Sequence, residues 1–397
     1  MHDIKTDCKA NQEVLEMQYI YMDHAATTPI DKYVLERMQP YFQERFGNAS
    51  SRHYLGLVSS DAILLARSQV ADTLNVQPGE IVFTSGGTEA DNLAILGVAL
   101  ACRARGRHLI TTTIEHPAVK SAFELLEQHG FTVTWLPVSK NGRISPEDVG
   151  AAIRPDTILV SVMFANNELG TIQPIQEIGA ITRAHGVFFH TDAVQAFGSV
   201  PIQPRKMHID LLSLSGHKIY GPKGSGALYI REGVPIESIL YGGQQEAGKR
   251  AGTENVPAIV GLGAAADLMY TNLQARTAAV RSLRNDFEQR VLYEIPNVRV
   301  NGADSSRLSG HSSLTFLGIN AKQIISKLND RGIFASAGSA CSCLTNMHSY
   351  VLRAIGLTDS EIEGTIRFSL GKENTVSDID RVVHALKNAV LECREAN

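Results

Sequence analysis

Residues 81–92 read IVFTSGGTEADN. The β-branched and aromatic run Ile81–Ser85 suits a strand, glycines interrupt it, and a helical pattern begins near Thr88 and lasts to about Ala104. A strand that turns at once into a helix is the building unit of an α/β sheet. Glycines in the turn let the backbone approach a ligand, and the helix N-terminus offers unpaired N–H groups to an anion, with the Thr88 hydroxyl beside them. Taken alone, the turn reads equally well as a plain helix cap. Working outward, further strand-like runs lie at His108–Thr112, Thr132–Pro137, Ile158–Phe164, Val187–Thr191, Leu211–Ser215 and Gly226–Ile230. Amphipathic segments separate them, such as Ser60–Leu74, where Ile63, Leu64, Val70 and Leu74 share one face. Several runs are almost continuously apolar, as a sheet covered on both faces requires. The expectation is an α/β domain with a largely parallel sheet. Past it, residues 256–293 read as one long helical region, Pro296 to Phe316 as strand-like pieces, and Ala321–Arg331 and Ser377–Arg394 as helices. This second part is a smaller α+β domain, packed closely because no repeat, low-complexity tract or Pro-rich linker intervenes.

At ~150 residues per domain, 397 residues make two or three domains. Hydrophobic residues are 44% and charged residues 20%, too apolar a balance for disorder. Acidic side chains outnumber basic ones 41 to 37, which argues against direct nucleic-acid binding. Five cysteines are too few, and odd in number, for a disulfide scaffold, so a reducing compartment is expected. The longest apolar stretch, Leu93–Cys102, is about half the ~20 residues of a membrane span. The first residues, MHDIKTDCKANQEVLEMQ, lack the apolar core of a signal peptide, and their acidic residues do not suit a transit sequence. A cytoplasmic protein without a membrane partner is expected.

A second stretch, LLSLSGHKIYGPKGSGALYI (211–230), sets Lys218 between two apolar strands. Desolvation there lowers an amine from its usual pKa of about 10.4, which imine formation needs. A nucleotide-binding P-loop is excluded, because Gly221 is followed by Pro222-Lys223 where that pattern needs Gly-Lys-Ser/Thr. A β-hairpin with a surface lysine is the plain alternative. A third stretch, VFFHTDAVQAFG (187–198), puts Asp192 just past a strand end with Gln195 three residues on. A carboxylate there holds a protonated pyridine nitrogen and makes the ring a better electron sink, although an Asp also caps helices. Phosphate cradle, imine lysine and pyridinium partner occur in the order a pyridoxal-phosphate enzyme uses.

These segments, with YMDHAATTP (21–29), FGNASS, IEHPAV, NNELGTIQPI, RAGTENVP, SAGSACSC and IRFSLGKEN (366–374), resemble the cysteine desulfurases of the NifS/IscS type, within the class V aminotransferase-like group. The resemblance covers nearly the whole chain. It implies a fold-type I pyridoxal-phosphate-dependent transferase: a large domain (28–270) with a mixed, mostly parallel seven-stranded sheet, and a small α+β domain from residues 1–27 and 271–397. It implies that Lys218 carries pyridoxal 5'-phosphate, Asp192 pairs the pyridine nitrogen, and Gln195 reaches the ring's phenolic oxygen. His116 would stack on the ring and assist proton transfer. Gly87, Thr88, Ser215, Gly216 and His217 would hold the cofactor's phosphate end, with Thr253 supplied by the second subunit of a homodimer. Asn167 would touch cofactor and substrate, and Arg367 would grip the carboxylate of L-cysteine.

By the same resemblance Cys341 is the nucleophile, on a loop at about 335–348. Small residues before it (Ala335 to Ala340) and polar ones after it suit a thiol carried to a site rather than a packed core. Cys341, Cys343 and His348 also invite a zinc reading, but no fourth ligand stands nearby in sequence. The implied reaction takes sulfur from L-cysteine, leaving L-alanine and a Cys341 persulfide for an acceptor protein: an iron–sulfur scaffold, or a tRNA, DNA or cofactor thiolation protein. No resident metal is implied; Cys341 is at most a ligand to a cluster held with a scaffold partner. Rival readings are a selenocysteine lyase, a class V aminotransferase and a non-catalytic sulfur-scaffold subunit, the last disfavoured by the complete set Lys218, Asp192, His116 and Cys341. The chain departs from the family pattern at Gly87 (often alanine), Ala247 (often arginine) and Cys343, and in its N-terminal extension.

Overall fold

We describe residues 19–338 and 348–395 in a computed structural model of the chain. It opens on a two-residue strand, β1 (Ile20–Tyr21). The seven runs singled out as strands follow as β2 (Ile81–Thr84), β3 (His108–Thr112), β4 (Thr132–Leu136), β5 (Thr157–Ser161), β6 (Phe188–Asp192), β7 (Leu211–Ser215) and β8 (Gly226–Ile230). All seven join one sheet in the order β2-β8-β7-β6-β5-β3-β4. Pairings among β4, β3, β5, β6 and β7 are parallel, and β8 runs antiparallel to both β7 and β2. The reason for the single reversal is covalent: only residues 216–225 join β7 to β8, too short for the dozen-residue crossover a parallel pair needs. The Lys218 stretch is thus a hairpin in its backbone. Strand ends agree with expectation to within one residue except that β5 stops at Ser161; β6 includes Asp192, which ends the strand instead of following it.

Each face of this sheet carries its own apolar core. Ile81, Phe83 and Tyr229 pack to one side with helices α1 (Tyr54–Leu74) and, later in the chain, Val256–Thr271. Val82, Leu228 and Ile230 pack to the other with α2 (Gly87–Cys102) and α3 (Pro117–Gln128). Neighbours along a strand alternate between the two cores, as the pleat dictates. Helix α1 begins well before Ser60 because the His53 ring accepts the Gly56 N–H at 3.3 Å and caps it.

The helical region expected at 256–293 is two helices, α4 (Val256–Thr271) and α5 (Leu273–Glu294), bent by 75° at Asn272. Apolar on all sides, α4 lies inside the first core, where Gly263 lets it approach Ala66 of α1. A second core gathers Ile20, Met22, Phe287, Phe316 and Phe368 with α6 (Ala321–Asn329) and α7 (Val376–Glu395). Its strands are β9 (Val298–Val300), β10 (His311–Phe316), β11 (Ile333–Phe334) and β12 (Thr365–Ser369); β12-β10-β9 form an antiparallel sheet and β1 pairs in parallel with β11. Cys102 and Cys393 are buried in apolar cores, which pushes both thiols up in pKa and leaves them as packing. Among the described residues no single helix is long and apolar enough to cross a membrane.

Candidate active site

The carboxyl ends of β2, β6 and β7 open on one pocket, which β12 of the second sheet closes with Arg367. Ligands of open α/β sheets sit at that end. Gly86 has φ 155°, a conformation glycine adopts freely, and it starts α2 with no side chain capping the helix. The first N–H groups of a sixteen-residue helix therefore face the pocket, beside Gly87, Thr88, Ser215 and His217. Burial drops the His217 pKa to about 4, so its ring is neutral at pH 7; Nδ1 bonds to Thr27 Oγ1 at 3.1 Å.

Lys218 lies one turn past β7, half-buried, with Nζ donating to the carbonyls of Ala25 (2.5 Å) and Ala26 (2.8 Å). The segment 25–28 is stitched to this turn: Thr28 N–H donates to His217 O at 2.9 Å, and the Thr28 hydroxyl accepts the Tyr220 N–H at 2.8 Å. That stitching holds Tyr220 at φ 63°, a strained backbone for an aromatic residue, and it explains what YMDHAATTP does.

Asp192 is 5% exposed, and its Oδ1 accepts the Val194 N–H at 2.9 Å, which aims the carboxylate into the pocket. Burial raises its pKa, while the neighbouring His116 and Lys218 oppose the rise. Gln195 lines the same wall and donates to Ala25 O at 3.0 Å. His116 caps α3: its Nδ1 accepts the Ala118 N–H at 3.2 Å, which leaves the proton of a neutral ring on Nε2. Burial lowers its pKa, so neutral is the state it favours.

Arg367 is buried, with Nη2 bonded to Asp23 Oδ1 at 2.7 Å and Nη1 to the Asn167 carbonyl at 3.0 Å. Its Nε has no partner among the described residues. A fork that keeps free donors beside Asn167 suits an incoming carboxylate.

Three expected residues stand apart. Gly216 does not line the pocket; a Cβ there would meet Ser225 Oγ at 2.4 Å, so its place is in the tight β7–β8 connection. Thr253 lines a different cavity, with Phe83, Ser85 and Arg250. Cys341 lies outside the described residues, as do Cys343 and most of the loop. The residues flanking it do not. A Cβ on Gly338 would sit 3.5 Å from Glu168 Oε2, which also accepts the Ser349 hydroxyl at 2.6 Å. Tyr350 donates to Glu115 O at 2.5 Å. Glu168 and Tyr350 both line the pocket, so the chain leaves and re-enters at its rim.

The sequence reading missed several wall residues: Asp91, Met163, Glu168, Val194 and Tyr350. Asp91, Glu168 and Val194 each sit inside a quoted motif; Met163 and Tyr350 come from segments that carry no chemical pattern. Of the departures, Gly87 has Val194 against it, since a Cβ there would lie 2.6 Å from Val194 Cγ2. Ala247 and Glu246 both have positive φ, and the loop bearing them is anchored by Glu246 to Arg67 (2.6 Å) and by Arg250 to Glu89 (2.8 Å) instead.

A profile of the family described as Aminotransferase class-V matches residues 20–382. The chain belongs to that family. A relative called cysteine desulfurase IscS, from Methanosarcina thermophila, is 49% identical over 388 residues, 98% of this chain and 96% of its own. A solved structure described as a NifS-like protein superposes with a TM-score of 0.88 at 35% identity, over 94% of this chain and 99% of its own. Another, described as SspA in complex with cysteine, gives 0.80 at 40% identity, over 89% and 99%. The resemblance read from the motifs is therefore borne out across the chain. Pyridoxal phosphate, which the resemblance implies, fits the residues present: an uncapped helix N-terminus for a phosphate, a buried carboxylate for a ring nitrogen, and a lysine between them.

Proposed function

We propose that this chain is a pyridoxal-phosphate-dependent cysteine desulfurase that converts L-cysteine to L-alanine and a Cys341 persulfide. One observation carries the reading: Lys218, Asp192, His116 and Arg367 share a pocket whose rim bears both flanks of the Cys341 segment. Cys341 is three residues beyond Gly338, a reach of about 10 Å at full extension.

When bound, the cofactor supplies a carbonyl for an amine and an electron sink for the substrate's α-carbon. The α2 N-terminus, Thr88, Ser215 and His217 bind its phosphate; Asp192 takes the ring nitrogen and Gln195 the phenolic oxygen. Arg367 binds the substrate carboxylate through its remaining donors, beside Asn167. Lys218 moves the α-proton. His116, with its proton on Nε2 and Nδ1 committed to the helix cap, serves as a proton donor over the ring. The Cys341 thiolate then attacks the substrate sulfur: an S–S bond forms, the Cβ–S bond breaks, its electron pair stays on carbon, and a proton completes alanine. An acceptor protein then takes the persulfide sulfur: an iron–sulfur scaffold, or a tRNA, DNA or cofactor thiolation protein.

The working unit is a homodimer in the cytoplasm, in which Thr253 completes the partner's phosphate site. Phe42, Phe46, Tyr54, Leu57 and Tyr241 are exposed apolar side chains of the kind such an interface buries. The division into residues 28–270 and the two flanking segments accords with the packing of Ile20 and Met22 into the second core and of α4 into the first.

The test is single-turnover reaction with L-cysteine. Wild type should be yellow, form alanine and carry one extra sulfur on Cys341. Cys341→Ala should keep the colour and lose persulfide, which no aminotransferase would, and Lys218→Ala should lose the lysine-bound absorbance. A yellow protein that forms no alanine from cysteine sinks the proposal.

A further inference from the structure

Asp91 lies one turn inside α2, with 1% of its surface exposed. Its Oδ1 has no hydrogen-bond partner among the described residues. The only ionic contact described for it is His190 Nε2, at 3.6 Å. That ring already bonds Ser161 Oγ at 2.8 Å and Ser213 Oγ at 3.0 Å, and burial lowers its pKa to about 3, so it brings no charge. The Ser213 hydroxyl also bonds the Asp91 carboxyl, and two groups that line the pocket stand nearby. Single atoms of Asp91, His116 and Asp192 all lie within 4.8 Å of one another.

The other elements packed on α2 add no cation. Strands β2 and β5 bring no titratable side chain, and Tyr229 of β8 belongs to the core on the opposite face. On α3, Lys120 pairs with Glu124 at 3.1 Å near the surface, and on α2 itself Glu89 pairs with Arg250. Glu115 is a third buried acid in the same interior, pushed up to about 8 by desolvation. Two carboxylates this close in a dry interior do not both ionise. Asp192 accepts a backbone N–H and has the Lys218 amine beside it; Asp91 has an unpaired oxygen, one Ser213 hydroxyl and a neutral imidazole. The proton therefore belongs on Asp91.

We propose that Asp91 is a positioning residue that stays the neutral acid, so that the Asp91–Asp192 pair presents a single negative charge, on Asp192, to the ring nitrogen. This rests on the cofactor reading above.

The experiment is carbon-13 spectroscopy of the holoenzyme labelled at the aspartate carboxyl carbon, from about pH 6 to 9. One resonance should keep the position of a protonated acid throughout, and Asp91→Asn should remove it. Because asparagine mimics the neutral acid, Asp91→Asn should keep the cofactor's absorbance and bind it within about threefold of wild type; a loss beyond about tenfold, or the absence of any such resonance, overturns the proposal. If Asp91→Asn does not accumulate as folded protein, Ser213→Ala removes the hydroxyl that bonds the Asp91 carboxyl and should displace the same resonance; no displacement also counts against the assignment. A chain that takes up no pyridoxal phosphate overturns the cofactor reading and the proposal with it. A yellow chain whose aspartates all ionise overturns the proposal alone.

Discussion

Arg367 reaches the pocket with part of its fork already committed to Asp23 and to the Asn167 carbonyl. Those bonds fix the plane of the guanidinium, so the remaining donors meet a carboxylate in one orientation only. Lysine would keep the charge and lose that geometry. Arg367→Lys should raise KM for cysteine by about tenfold or more while leaving the cofactor absorbance intact; an unchanged KM would show that the carboxylate is held elsewhere. Glu115 tests the buried interior of the site. Burial lifts its pKa to about 8, against the Thr112 hydroxyl and the Met163 N–H, which favour the charged form. The folded state thus holds a proton that the unfolded chain, with a pKa near 4.5, has lost. Stability should fall as pH rises from about 5 towards 8, where the folded group ionises too. Urea melts of Glu115→Gln should show a shallower fall, so that its stability relative to wild type grows with pH. A difference that is constant across that range would mean the carboxyl is ionised throughout. Neither arginine nor glutamate announces such a role by itself; Arg367 was legible only because it sits in IRFSLGKEN, and Glu115 was passed over in IEHPAV in favour of the histidine next to it.

At the scale of elements, the loop at residues 241–253 shows how an anchor can hide in a polar stretch. The Glu246 side chain is buried and bidentate to Arg67 of α1, at 2.6 and 2.7 Å, and it also accepts the Phe83 N–H of β2 at 2.9 Å. Removing one partner of such a pair leaves a buried charge uncompensated, at a cost of about 3–5 kcal/mol. Glu246→Ala should therefore destabilise the chain by about 3 kcal/mol in urea melts, and Arg67→Met in the same chain should restore part of it. Additive losses would mean that the pair is not coupled. This contact joins residues far apart in sequence, so no local pattern reveals it. The seven strands of the large sheet, by contrast, were all legible, because each is a mostly apolar run between turn residues, whereas β1, β11 and β12 were not. What the pattern does not carry is direction: the reversal of β8 follows from the length of its connection to β7. Nor does it carry the bend at Asn272, where helix-forming residues continue on both sides. There the chain passes from α4, mostly buried, to α5, which covers the second core with one face.

For the whole molecule, the site is assembled from parts that a single core could not bring together: strand ends of the large sheet, the segment at Ala25–Thr28, and Arg367 from the second sheet. One part is still separate, because Thr253 faces a cavity away from Lys218 in the same chain. The family resemblance implies a place for it at the phosphate of a second copy, as proposed above. Complementation decides between the two arrangements. Lys218→Ala and Thr253→Ala homodimers should each bind pyridoxal phosphate poorly or inactively. Refolded together, they form mixed dimers with one doubly altered site and one intact site, provided Thr253 acts across the interface. Cysteine desulfuration should then return in the mixture, up to about a quarter of the wild-type rate if subunits pair at random. If Thr253 served its own chain, every site in the mixture would carry a lesion, and no activity would return.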